Sequence, residues 1–257
     1  LKARSLRTPV TLACAALALL LAACGDGPTA PTSFAQVIAG RTWVAVAAPD
    51  GLPSAETWTP FVPRAGEAYA RLREMKEQAA HARKAGDAEG ARSVDEAAAL
   101  LAAGAVAGDP GAEPVLRADA ALERWEANAA ARLASGSYPG LDSAVVDVHR
   151  FRAEAAVALA RRDTASGAVS LTRAAARARD WAPQAVALRV LAAAEARADA
   201  RGTASPEVVR ARRLLRTSRE AVATGDYVRA FRRAVYALQM LDADSAARPR
   251  SRRGGVE

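Results

Sequence analysis

Two histidines, two cysteines and a few acidic pairs are the first side chains to weigh for chemistry in this 257-residue chain. His81 and His149 stand far apart, and neither has a histidine, cysteine or close carboxylate at ligand spacing. Asp142 precedes His149 by two helical turns, too far to orient an imidazole by a hydrogen bond within one helix. Asp95-Glu96, and Glu74 with Glu77, are interleaved with Arg71, Arg73 and Lys76. Such mixtures form solvated ion-pair faces rather than general acid–base pairs. The sequence contains no HExxH, CxxC, GxSxG, Walker-type or GxGxxG run, so the usual metal, redox, nucleophile and phosphate chemistries have no motif to rest on. The expectation is a protein that is not an enzyme and takes no metal or cofactor. The competing expectation is a small-ligand or hydrolytic site between helices, with Trp43, Trp58, Trp125 and Trp181 lining an apolar pocket.

The cysteines have a different context. Lys2, Arg4 and Arg7 precede a run from Val10 to Ala23 that is apolar apart from Thr11 and ends in Leu21-Ala22-Ala23-Cys24. A basic head, then an apolar stretch, then small residues at a cleavage point is the pattern of a secretory leader. The apolar run is shorter than the ~20 residues a membrane-spanning helix needs. This segment resembles the signal peptide and lipobox of bacterial lipoproteins. The resemblance implies cleavage between Ala23 and Cys24, a diacylglycerol on the Cys24 thiol, and acylation of the new amine with palmitate-type chains. Several chains, at about 0.8 kcal/mol per buried methylene, give stable anchoring where one would not. Cys14 would leave with the leader and Cys24 would carry lipid, so the fold has no thiol left for a disulfide or a metal.

The elements downstream divide into a lipid-anchored tether at 24–33, rich in Gly, Pro, Ser and Thr, an irregular strap at 34–63, a helical domain at 64–243 and a basic disordered tail at 244–257. Within the strap, Trp43-Val44-Ala45-Val46 reads as a short strand, and Trp58 and Phe61 as anchors. Past residue 64 the chain is rich in Ala, Arg, Leu and Glu, all strong helix formers. Turn signals at Ala85-Gly86-Asp87, Gly108-Asp109-Pro110-Gly111, Gly136-Ser137-Tyr138-Pro139-Gly140, Arg162-Asp163, Asp180-Trp181-Ala182-Pro183, Ser205-Pro206 and Gly225-Asp226 cut it into about eight helices in antiparallel hairpins. The fold class is therefore all-α. Alanine at many facing positions lets helices approach closely but buries little apolar area apiece, which favours a thin array over a thick core.

A motif recurs three times. Gly86-Asp87 is followed by Ala91 and Ala98, Arg162-Asp163 by Gly167 and Ala174, and Gly225-Asp226 by Ala230 and Ala237. Asp can cap the second helix where Gly ends the first. These hairpins resemble those of tetratricopeptide-type repeats, although the Asp positions are spaced unequally and strict two-helix alternation is broken. A helical-repeat-like array and an irregular bundle both fit.

Charge is distributed unevenly. The whole chain is +8, yet residues 24–200 carry a net −2 and residues 201–257 a net +7. Arg212, Arg216, Arg219, Arg229, Arg232 and Arg233 form the candidate interaction surface, with Tyr138, Trp181 and Tyr236 as candidate exposed aromatics. Arginine binds carboxylate and phosphate bidentately, so an envelope protein, an anionic lipid or a polyanion fits it. The tail lacks the interleaved aromatics of a nucleic-acid stacking platform, and an exported chain does not meet nucleic acid. The functional expectation is a non-catalytic interaction or scaffold lipoprotein of the cell envelope. Gly25 after the cysteine favours the periplasmic face of the outer membrane where there are two membranes.

Overall fold

The computed structural model describes residues 43–136, 138–202 and 205–247. The leader with Ala23 and Cys24, the tether, residues 34–42 of the strap and residues 248–257 of the tail lie outside them. Among the described residues the fold is all-α: α1 (Ala55–Trp58), a 3-10 turn (Thr59–Phe61), α2 (Glu67–Lys84), α3 (Ala88–Gly104), α4 (Ala112–Leu133), α5 (Pro139–Ala160), α6 (Thr164–Arg179), α7 (Pro183–Ala200), α8 (Pro206–Ala223) and α9 (Tyr227–Ala247). The eight long helices begin and end at the turn signals, and α1 adds a single turn inside the strap. The last helix continues through Ala247, past the boundary at residue 243 that composition suggested. Ser205 caps α8 by accepting a hydrogen bond from the Val208 N–H, with Pro206 in the first helical position.

The repeated motif is a single backbone device used three times. Gly86, Arg162 and Gly225 all have left-handed φ, at 77°, 61° and 78°. The next residue's N–H reaches back five positions in each case, Asp87 to Ala82, Asp163 to Ala158 and Asp226 to Ala221, which satisfies an orphan carbonyl at the helix end. The aspartate then caps the following helix, its carboxylate accepting from the N–H of Gly90, Ser166 or Arg229. Hydrogen bonds from Ser166 hold the Asp163 carboxyl below the usual aspartate range. Its capping contribution is therefore complete above that range and lost as pH falls through the lowered value. Four residues on, Ala91, Gly167 and Ala230 are buried where the two helices touch. At Gly167 the fit admits nothing larger, because a Cβ would lie 2.7 Å from Leu159 Cγ.

Arg162 is the exception among the three turns, a side-chain-bearing residue in a conformation that costs L-residues roughly 1–2 kcal/mol. Arg162→Gly is expected to stabilise the protein by up to about 1 kcal/mol after the extra unfolded-chain entropy of glycine is subtracted. Urea unfolding midpoints test this, and a variant that unfolds earlier contradicts it.

The hairpins α2/α3, α5/α6 and α8/α9 each receive one preceding helix. α1 packs on α3, α4 packs on α5 and α6, and α7 packs on α8 and α9, while α3 also meets α6. The unit is thus three helices, which explains why the aspartates fail a two-helix period. Two principal cores result. The first holds Trp58, Leu72, Leu122, Trp125, Leu141, Val148, Leu171 and Trp181 amid many alanines. The second holds Val186, Val190, Leu191, Val208, Leu215, Phe231, Val235 and Leu241.

The strap joins them. Val44 and Val46 point into the first core while Ala45 points into the second, and Trp43 stands edge-on to Phe231 with ring centroids 5.0 Å apart. This is the period-two alternation of extended chain, but the segment is not a strand. Its neighbours are helices rather than a second extended segment, and the Val46 N–H donates instead to the carbonyl of Trp181. Trp181, expected to be exposed, is buried at this crossing.

Candidate interaction surface

The four tryptophans pack into the helical cores. Trp58, Trp125 and Trp181 are buried in the first core and Trp43 leans on the second. Neither surface depression described below includes any of them. Trp58 donates its indole N–H to Thr172 Oγ1 at 2.8 Å, and the Thr172 hydroxyl in turn donates a hydrogen bond to the Ala168 carbonyl. Trp125 has no such outlet for its buried Nε1 among the described residues.

The histidines remain at the surface. His149 is 79% exposed, with Nδ1 at 3.7 Å from Glu126 on the neighbouring helix α4. Glu126 itself is engaged by Arg152, which also binds Asp119 at 2.7 Å. The bond to Asp119 leads the causes that raise the pKa of Arg152. Sequence spacing could not show Glu126, because it approaches from another element. The acids interleaved with basic residues form ion pairs as their pattern implied: Arg71 with Glu74, Arg83 with Asp95, and Arg92 with Glu96. No group of three or more metal-ligating side chains is found among the described residues.

The densest charge network lies where α3, α6 and α7 meet. Asp180 takes Arg92 at 3.1 Å, Arg189 at 3.5 Å and Arg177 at 3.9 Å. Arg92 also holds Glu89 and Glu96, and Arg177 reaches Asp147 on α5. The hydrogen bond between Arg92 and Glu89 raises the arginine's pKa and lowers the glutamate's, whereas burial pushes Glu96 up. Burial lowers the pKa of Arg179, which spends its guanidinium on the carbonyls of Leu52 and Pro53. The pairs of Arg92 with Glu89 and Glu96 lie within α3. Asp180, however, joins Arg92 of the first three-helix unit and Arg189 of the third to the end of α6, so the network fastens one unit to the next.

The basic candidate set is divided by α7. Arg212 pairs with Asp199 at 3.6 Å and Arg219 with Glu195, both on α7, and the bond to Glu195 raises the pKa of Arg219. These two are structural. Arg233 lies half-buried across the α8/α9 groove and donates to the Thr217 carbonyl at 2.8 Å. Arg216, Arg229 and Arg232 are exposed, and no ion pair to any of them forms among the described residues. Sequence reading passed over Arg213, which is also exposed and free of an ion pair among the described residues. Its signal was present: Val209, Arg213, Arg216 and Glu220 follow i, i+4, i+7, i+11 spacing, one helical face. Of the aromatics, Tyr138 is half-buried against the first core and Tyr236 is 60% exposed.

Equivalent faces of the first two hairpins are open depressions. One of about 680 Å³ on the first hairpin is bounded by Glu74, Glu77, His81 and Asp87. Another of about 550 Å³ on the second is bounded by Arg150, Glu154, Val157, Ser166 and Ser170. Counted from each hairpin's aspartate, these places are matched on the third by Arg213, Arg216, Thr217, Glu220, Arg229 and Arg233. The bond from Ser218 Oγ to the Ala230 carbonyl at 2.7 Å, with that from Arg233 to Thr217, fixes the register between α8 and α9. Arg213 then stands opposite Tyr236, Arg216 opposite Arg233, and Glu220 opposite Arg229.

No protein family, curated protein or solved structure matches this chain.

Proposed function

We propose that the chain is a lipid-anchored lipoprotein of a bacterial cell envelope and that its helical array is a non-catalytic protein-interaction or scaffold module. The observation that carries the reading is Leu21-Ala22-Ala23-Cys24 at the end of a short apolar run behind three cations. The acyl chains on Cys24 would hold the protein at the membrane, on the periplasmic face of the outer membrane where two membranes exist, and the tether would set its distance.

The helical architecture supports the second half of the reading. Stacked hairpins expose long faces relative to the core they bury, and here the shared hairpin turn presents three equivalent faces with different side chains. The packing of the four tryptophans into the helical cores weighs against a small-ligand site built on them. In a cell envelope an assembly protein is the expected partner, with anionic lipid or another polyanion as a secondary contact.

Cross-linking in intact cells followed by gentle detergent extraction tests this reading. The expected product is a discrete complex containing the protein and at least one unlike chain. Recovery of the protein alone at every cross-linker length would contradict the scaffold role.

A further inference from the structure

We infer that the open face of the α8/α9 hairpin docks an acidic segment of a partner polypeptide, aligned along the row Arg213, Arg216, Arg229 and Arg233. The inference rests on the interaction-module reading for the existence of a partner, and it adds which surface binds and what chemistry it binds.

Four arginines share this face, and among the described residues only Arg233 has its guanidinium committed, to a backbone carbonyl that leaves the charge uncompensated. The neighbouring cations show what the fold does when an acid is in reach: Arg212 and Arg219, on the adjoining face of the same helix, are both paired with α7. No ion pair to Arg213, Arg216 or Arg229 forms among the described residues, and Glu220 is the one carboxylate within their row. The repulsion among them is tolerable in water, but it creates a local positive field that an anionic partner relieves. One exposed pair contributes little; several guanidiniums in fixed register, each able to grip a carboxylate with two N–H groups, contribute together.

The occupant can be narrowed. Of this chain's own segments outside the described residues, 24–42, which follows the leader, has one acid and one base, and 248–257 is net basic, so neither is an acidic segment. An anionic membrane surface presents negative charge everywhere, so Glu220 at the end of the row beside Arg229 opposes it. A polypeptide can place an N–H or a basic side chain there and its acids along the arginines. The ends of the face favour a polypeptide as well: Val209 and Tyr236 are 55% and 60% exposed and flank Arg213, an apolar foothold beside the charges. From Val209 to Glu220 the row runs about 16 Å, the length of about five extended residues.

The test uses the full-length protein in detergent micelles and a fluorescent oligoglutamate peptide about six residues long carrying one phenylalanine. Binding should be saturable and weaken steeply with salt. Reversing Arg213, Arg216 and Arg229 to glutamate together should weaken it about tenfold or more, while Arg212→Glu with Arg219→Glu should change it less than twofold. Circular dichroism checks that both variants remain folded, and single reversals replace the triple variant if it does not. Equal loss from the two sets, or no binding, overturns the proposal. So does tighter binding to phosphatidylglycerol vesicles than to neutral vesicles, lost on reversing Arg213, Arg216 and Arg229, in the absence of peptide binding, which would make the occupant a membrane. A protein that enters an envelope complex yet ignores the peptide loses only this docking face; one that binds the peptide but forms no complex loses the scaffold reading.

Discussion

Replacing Trp58 by alanine is expected to destabilise the protein by about 3–5 kcal/mol, roughly 6–20 °C of melting temperature for a domain of this size. Trp58 is completely buried, and in a core dominated by alanine it supplies an outsized share of the apolar area removed from water. Its indole N–H is satisfied by Thr172 on α6, a contact across 114 residues that ties the strap to the second hairpin. Truncation would leave a cavity in the first core and remove the donor that Thr172 Oγ1 accepts from. Since whole domains have only about 5–15 kcal/mol to spare, the variant should be close to its limit at growth temperature. Denaturant titration of the purified protein checks it, and a loss below about 1 kcal/mol would mean that the strap contributes little to the fold. Trp125 offers a contrast. Its buried Nε1 has no partner among the described residues, so Trp125→Phe forfeits no hydrogen bond and should cost less than Trp58→Phe.

The second large effect concerns location. Cys24→Ala should abolish incorporation of labelled fatty acid and leave the leader attached, so that the product migrates as the heavier precursor. Cys14→Ala should change neither, although both cysteines lie in the same N-terminal region. The distinction follows from position: in the lipobox reading only the residue after the small pair Ala22-Ala23 meets the modifying enzymes. In the same reading acyl chains would supply the membrane affinity, at about 0.8 kcal/mol per buried methylene, and no helix among the described residues is long and apolar enough to span a bilayer. Equal labelling of the Cys24→Ala protein would place the lipid elsewhere.

Local signals proved easier to read than contacts between distant segments. The hairpin turns were visible because Gly, Asp and the small residue four places on each answer a local need: a left-handed backbone, a cap and a close helix contact. Those needs are met within about ten residues, so the text shows them directly. Trp43-Val44-Ala45-Val46 misleads as a strand because its alternation is real, but its two sides face two helical cores. Trp181 looked available because it sits in a turn, and turns usually face water. Here the strap, more than 130 residues earlier, covers it. The basic surface divides in the same way. Nothing local separates Arg212 and Arg219 from Arg213 and Arg216; the distinction comes from Glu195 and Asp199, which α7 brings alongside.

The three-helix unit was half visible. The turns fall between the first and second, fourth and fifth, and seventh and eighth long helices, a period of three, yet a repeat built on pairs was the obvious template. The packing of α4 on α5 and α6, and of α7 on α8 and α9, shows what the extra helix does. It packs on both helices of the second and third hairpins.

The most direct test of the proposed anchoring is intact mass spectrometry of the protein purified from its native membranes. The account predicts a chain that begins at Cys24, heavier than its sequence by a diacylglyceryl group and an amide-linked acyl chain. A chain that retains residues 1–23, or begins at an unmodified Cys24, would contradict it.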